Sequence, residues 1–349
     1  MYLIWVTVQM FIKELYISTG KIIKQKNNHK IKIKNKMKTL KTITIVLVLT
    51  SGSLSNHAQQ APMYTHYMYN TLSVNPGYAG SRDALTVTAL HRSQWVDFKG
   101  APITQTLTMH SPLRNKHIGV GLSVLNDKIG PANNTSVFVD YAYIMQLSLK
   151  SKLALGLSAG ANIFQANLST LQLDQQNDPV FLNNINNHAT PNFGFGAYYS
   201  RERFYAGISA PDLLQNSYSV IKTEDKNTLI GKEQRHYFFI AGAMLNITHN
   251  LAFKPTMLIK ETAGAPVEAD LTASFIIMKK LLLGAMVRTG DAFGGLVGLD
   301  ITDQLHLGYS YDWSYGLKTS MYNKGSHEIV LRYDFIFFNK QQIHSPRNF

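Results

Sequence analysis

From residue 279 to residue 338 the chain alternates apolar and polar side chains with a period of two. Leu305, Leu307, Tyr309, Tyr311 and Trp313 share one parity, and His306, Gly308, Ser310 and Asp312 share the other. Ile329, Leu331, Tyr333, Phe335 and Phe337 repeat the pattern, with Arg332 and Asp334 between them. Successive side chains of a strand point to opposite faces, so each parity becomes one face of a sheet. One face is apolar and aromatic, and the other is polar, charged or small. This pattern predicts a sheet whose apolar face meets lipid and whose polar face lines a barrel interior.

The same alternation recurs upstream and yields fourteen strands, near residues 84–92, 101–112, 117–126, 136–148, 152–165, 191–200, 203–209, 236–247, 250–260, 266–277, 280–289, 291–301, 304–313 and 326–338. Ile118, Val120, Leu122 and Val124 oppose Gly119, Gly121 and Ser123. Leu153, Leu155 and Leu157 oppose Ala154, Gly156 and Ser158. Soluble sandwiches alternate as well, with the apolar side inward. Two features favour the membrane. Most strands run about 9–13 residues, the length of tilted membrane strands rather than the usual five or six. Aromatic residues (Trp313, Tyr198, Tyr199, Phe337, Phe338) gather at strand ends, where barrels carry interfacial girdles.

Loop length sorts by parity. Short connections follow even-numbered strands, at 113–116, 149–151, 201–202, 248–249, 278–279 and 302–303. Long ones follow odd-numbered strands, at 127–135, 166–190, 210–235 and 314–325. Outer-membrane barrels place short turns on the periplasmic rim and long loops outside. The expectation is an all-β transmembrane barrel, residues 84–338, with an even strand count, both termini periplasmic and a short tail at 339–349.

A mean hydropathy of -0.09 over 349 residues does not oppose this reading, because alternating strands average to neutral. Met37 opens a signal-peptide layout: Lys38 and Lys41, an apolar run over 42–50, then small and polar residues to Ala58. Export is expected, with cleavage between Ala58 and Gln59. The run is too short to span a bilayer. Residues 1–36, rich in Lys, Ile and Asn, fit neither leader nor domain and read as a start placed too early. The leader also explains the charge. Of 34 basic and 21 acidic side chains (net +13), residues 1–58 hold ten and one. The mature chain keeps 24 and 20, a balance of +4, so no nucleic-acid partner follows. The absence of cysteine removes disulfides, thiolate catalysis and Cys-based zinc sites.

Residues 59–83 precede the first strand, hold Tyr64, Tyr67, Tyr69 and Tyr78, and lack a clean period of two. Asn75-Pro76-Gly77 signals a turn. The stretch reads either as a short plug or lumen-lining segment, or as an N-terminal extension. Charged residues of inward parity include Lys254, Lys260, Asp270, Arg288, Asp300, Asp312, Arg332 and Asp334. Of these, Arg288, Asp312, Arg332 and Asp334 form a candidate lumen charge network. Such charges either balance one another or line a channel; pairing is favoured because unpaired buried charge is costly.

Catalytic patterns are weak. Arg288-Thr289-Gly290-Asp291 with Gly294, Gly295 and Gly298 lacks the following helix of a phosphate loop and reads as a hairpin turn. His327-Glu328 lacks the second His of a zinc helix. His91, His110 and His117 fall on or beside separate strands. The pairs Asp174/Asp178 and Glu268/Asp270 invite comparison with glycosidase carboxylates; the first lies in a polar loop, and a lumen ionic network explains the second as well. No Gly-x-Ser-x-Gly elbow occurs. No catalytic, metal or cofactor-binding residue is assigned.

The sequence resembles the PorP/SprF family of type IX secretion membrane proteins of Bacteroidetes. The resemblance rests on YTHYMYNTLSVNPGYAG (64–80), HRSQWVDFKGAPITQT (91–106), PNFGFGA (191–197), RTGDAFGGLVG (288–298), LGYSYDW (307–313) and GSHEIVLRYDF (325–335). It implies an outer-membrane barrel without enzymatic activity, acting in type IX secretion or surface attachment of a cargo protein, in some members a gliding adhesin. The partners implied are outer-membrane lipid, the cargo, a periplasmic peptidoglycan-binding lipoprotein and other type IX components. A passive porin or small-molecule transporter is the alternative, and a lipid-embedded hydrolase a remoter one.

Overall fold

The computed structural model describes residues 61–171, 184–223, 226–315 and 321–336. The leader, the Ala58/Gln59 junction, Asp174, Asp178, Phe337, Phe338 and the tail lie outside these residues.

Seventeen strands occur among the described residues. On one side of the sheet run β1 (Leu85–Ser93), β2 (Ile103–Pro112), β3 (Ile118–Ile129), β4 (Ala132–Ser148), β5 (Ser151–Ala166), β6 (Ile185–Arg201) and β7 (Phe204–Ala210). A hairpin of β8 (Ser217–Thr223) and β9 (Lys226–Lys232) stands apart from the sheet. There follow β10 (His236–Ala243), β11 (Leu245–Asn246), β12 (Leu251–Thr262), β13 (Glu268–Ile277), β14 (Leu281–Arg288), β15 (Ala292–Asp300), β16 (Leu305–Ser314) and β17 (Ser326–Phe335). β10 and β11 are two pieces of one stave, interrupted at Met244, and both pair with β12. Neighbours pair antiparallel in order; β10 also pairs with β7, and β1 closes onto β17. The result is a closed antiparallel barrel of fourteen staves. Closure leaves no sheet edge, the condition for a sheet to sit in lipid.

The barrel is inverted relative to a soluble protein. Val139, Leu157, Phe193, Leu271, Ile329 and Leu331 point outward and are exposed. Their strand neighbours Asp140, Ser158, Asn192, Asp270, Glu328 and Arg332 are buried. A ten-residue strand such as β16 is about 34 Å long and, tilted by about 40°, rises about 25 Å, the height of an outer-membrane apolar band. One expected girdle residue is misplaced. Tyr198 shares parity with inward Gly194 and Gly196 and is buried against Tyr205, ring centres 5.7 Å apart. It belongs to the interior, while Trp313 faces outward.

The two rims differ. Connections at one rim span two to five residues, whereas the other carries the long connections 94–102, 167–184, 211–235 and 315–325. The expected loop at 127–135 is instead a strand pair, Asp127↔Asn134 through Ile129↔Ala132, closed by Gly130-Pro131. The polar residues there satisfy each other across the ladder: Asn126 bonds Asn133 and Thr135. Polarity mimicked a loop because this hairpin projects beyond the apolar band.

Residues 61–84 occupy the interior. Met63 to Ala79 is almost wholly buried, and Thr65, His66, Tyr67, Asn75 and Ala79 have no exposed surface beyond 1 %. At its start Ala61 donates N–H to His236 Nε2 (3.0 Å) and accepts from Lys260 Nζ (3.2 Å). Both partners lie at the long-loop rim. The segment then crosses the lumen to enter β1 at the opposite rim. β1 begins and β17 ends at the short-turn rim, but the described chain starts at the long-loop end.

Candidate functional site

Among the described residues, charged and polar side chains concentrate in the interior, and strand register builds their arrangement. Cross-strand partners on the inner face include Arg92↔Glu328, Asp270↔Arg288 and Lys260↔Glu268. Opposite charges directly across a ladder stabilise each other and fix the register.

The central cluster joins two such pairs to the lumen segment. Arg92 Nη1 lies 2.7 Å from Asp312 and 3.1 Å from Glu328. Arg288 is held by both oxygens of Asp270 at 2.8 and 2.9 Å, by Asp291 at 3.2 Å, and lies 3.9 Å from Asp312. Glu328 receives the backbone N–H groups of Thr65 (2.9 Å) and His66 (2.6 Å) and meets His66 Nδ1 at 2.9 Å. The Thr65 hydroxyl donates to Asp312 at 2.7 Å and accepts from Arg92 at 3.0 Å. Charge-assisted bonds of this kind are roughly twice as strong as neutral ones. The segment is thus bound by the wall's own ion pairs.

Further along, Tyr67 OH meets Thr256 (2.9 Å) and Thr272 (3.3 Å) on one wall, and Asn70 donates to Thr106 (3.0 Å) on another. The Asn75-Pro76-Gly77 turn forms as its sequence predicts. Asn75 Oδ1 accepts from Gly77 N–H at 2.8 Å, and its amide donates to the Ala197 carbonyl at 3.1 Å. The turn rests on Gly156, where a Cβ would come within 2.2 Å of Gly77 N. Gly119 seats the next residues, a Cβ there meeting Ala79 O at 2.1 Å. The inward glycines are where wall and segment backbones touch.

A second cluster lies near the short-turn rim. Arg82 grips Asp334 through two bonds (3.1 and 2.9 Å), Thr86 donates to the same carboxylate at 2.7 Å, and Arg332 approaches it at 3.5 Å. Arg332 and Lys254 both stand over the Tyr69 ring, at 5.0 and 5.2 Å, and His306 stacks on that ring at 4.1 Å. Tyr69, Arg82, Lys254, Arg332 and Asp334 border a 610 Å³ cavity open at this rim.

The four residues expected to form one network therefore divide. Arg288 and Asp312 belong to the central cluster, Arg332 and Asp334 to the rim cluster. Arg332 pairs with His306, six residues from Asp312 along β16, or about 20 Å of strand. Parity predicted their common face but not their height. Sequence reasoning missed Arg92, Glu328, Arg82, Thr65 and His66. Arg92 shares parity with Thr86, Thr88 and Leu90, a signal that was available. Glu328 was weighed only as a zinc-helix fragment, and Thr65 and His66 lie where no periodicity points.

The other candidates separate. His91 is exposed on β1, His110 is buried and accepts from Gly80 N–H, and His117 sits at the short-turn rim. Glu268 binds Lys260 at 2.7 Å, while Asp270 binds Arg288. Among the described residues no group of three or more His, Asp or Glu side chains is placed to hold a metal ion.

At the long-loop rim a second cavity, of 340 Å³, lies between Ala61-Pro62 and the inner wall. Asp127, Asp212, Glu233, Asn134 and Asn162 border it, beside Tyr64, Phe164 and Phe238.

Comparison with known proteins gives one family match. The family described as "Type IX secretion system membrane protein PorP/SprF" matches residues 56–333. No curated protein matches the sequence. Among solved structures, the outer membrane protein Omp33 of Acinetobacter baumannii is similar at 12% identity and a TM-score of 0.41, over 73% of this chain and 100% of that one. The CymD monoaromatic hydrocarbon channel is similar at 9% identity and a TM-score of 0.44, over 78% and 94%.

Proposed function

The chain belongs to the PorP/SprF family of type IX secretion system membrane proteins and is an integral barrel of the outer membrane, and from that premise we propose that it assists the secretion or surface attachment of one particular cargo protein, a gliding adhesin being the leading class. The long-loop rim faces outward and meets the cargo. The short-turn rim faces the periplasm and meets a peptidoglycan-binding lipoprotein or another type IX component. The barrel acts by binding rather than by catalysis.

One observation carries this reading. The lumen is occupied by residues 61–82, bonded to β2, β6, β12, β13 and β17. A passive porin requires an open aqueous path, and here the path holds a buried, charge-paired segment. A barrel filled in this way offers its rims, not its bore, to partners. Deleting the gene in its host and cataloguing surface and released proteins tests the proposal. The expected result is that one type IX cargo leaves the cell surface or appears in the medium. A normal distribution of every cargo contradicts it.

A further inference from the structure

The 340 Å³ cavity at the long-loop rim differs from the rest of the lumen in its chemistry. Its polar walls are rich in acceptors: the carboxylates of Asp127, Asp212 and Glu233 and the amide carbonyls of Asn134 and Asn162, with Gln234 and His236, whose Nε2 accepts from Ala61 N–H, also on the lining. Among the described lining residues there is no Lys or Arg. Asp127 accepts from the Thr104 hydroxyl at 2.6 Å, and Asp212 from the Asn162 amide at 3.5 Å. Among the described residues neither carboxylate has a cation. Asn162 donates a second bond to Glu233 at 3.0 Å, yet its own carbonyl oxygen, on a side chain only 5% exposed, has no donor. The Asn134 carbonyl oxygen is in the same position. A buried acceptor without a donor is costly, and a buried carboxylate without a cation costs more.

The missing complement is therefore a group rich in N–H donors and positively charged. Its shape is also given. Tyr64, Phe164 and Phe238 supply aromatic and apolar wall, which suits an organic cation with a carbon stem better than a hydrated metal ion. The cavity lies at the long-loop rim, between the end of β5 at Phe164 and the residues Pro211, Asp212 and Glu233 that flank β7 and β10, where a chain arriving from outside would dock. We propose that this chamber binds an arginine or lysine side chain of an extracellular polypeptide. The identification of that polypeptide with the cargo rests on the function proposed above; the chemistry of the site does not.

The test uses the whole mature barrel in lipid nanodiscs. Acetyl-Gly-Arg-Gly-amide is titrated by calorimetry, with acetyl-Gly-Glu-Gly-amide and calcium chloride as controls. Saturable binding of the arginine peptide alone is expected, with at least tenfold weakening in Asp127→Asn/Asp212→Asn. Retained heat-modifiable gel mobility shows that the double variant is folded. Asn134→Arg is the second variant: it places a guanidinium in the chamber and removes binding while every carboxylate stays. Equal arginine-peptide affinity in native and variant barrels overturns the proposal, as does binding of calcium without the peptide. Normal cargo in the deletion strain overturns the secretion reading and leaves the titration unaffected, so the two failures are distinct.

Discussion

Two groups of carboxylates lie inside the same barrel under opposite conditions. In the central cluster Asp270, Asp312 and Glu328 meet Arg92 and Arg288 at 2.7 to 3.1 Å. In the long-loop chamber Asp127 and Asp212 meet, among the described residues, only a hydroxyl and an amide. Burying charge is costly everywhere in the lumen, and pairing offsets that cost only in the centre. The contrast assigns different work to similar residues. Paired charges fix strand register and anchor the lumen segment through Thr65 and His66. In the chamber, Asp127 and Asp212 accept only neutral donors among the described residues, the arrangement from which the proposed cation site is argued.

The comparison breaks most sharply at Arg92. Replacing it with Leu leaves Glu328 and Asp312 buried without their cation, and such a loss costs about 3–5 kcal/mol. A urea unfolding series in lipid vesicles should show that drop, with partial recovery in Arg92→Leu/Glu328→Leu. An unchanged midpoint for the single variant would mean that the central cluster holds nothing together.

Gly156→Val comes next in size. Its Cβ cannot coexist with Gly77 N, so either the turn lifts or the wall distorts, at about 1–3 kcal/mol. The barrel should still fold, while protease cleaves within residues 61–80 that the native lumen protects. Equal protection in both proteins would argue against the seat.

The chamber should respond to pH. Burial, reinforced by Glu233, raises the Asp212 carboxyl to about 6. Asp127, Glu233, His236 and Tyr64 border the same space, and Arg235 nearby is engaged by the Leu213 carbonyl. The folded chain therefore holds a proton that the unfolded chain has lost, so this group's contribution to stability declines as pH rises through about 6. Affinity for the arginine peptide runs the other way and should rise between pH 5 and 7. A flat affinity across that range would remove Asp212 from the site. The smallest effect is expected at Asp127→Asn, which keeps an acceptor for Thr104. Its unfolding midpoint should stay within about 0.5 kcal/mol of native.

Much of the fold was legible because period-two alternation is a direct imprint of a two-faced sheet. All fourteen staves lie where alternating residues place them, from Leu85 to Phe335. The errors share a cause. The polar 127–135 stretch pairs with itself outside the apolar band, where alternation no longer reports burial. Tyr198 faces inward because its parity, not its aromatic character, sets its side. The interior was less legible. Parity gives the face of Arg288, Asp312, Arg332 and Asp334, but height along the barrel depends on register, which only the pairing of His306 with Arg332 reveals. Thr65 and His66 act through backbone N–H groups as well as side chains, and backbone donors leave no mark in residue identity. The inward glycines at 119 and 156 did leave one: small residues facing a lumen mark where something approaches closely.

The account stands on the occupied lumen. Single-channel conductance in a planar bilayer tests it directly, comparing the native barrel with a variant lacking residues 61–80. The native protein should be electrically silent, and the folded deletion variant should give discrete conductance steps. Porin-like steps from the native protein, or equal silence from the folded deletion variant, would contradict it.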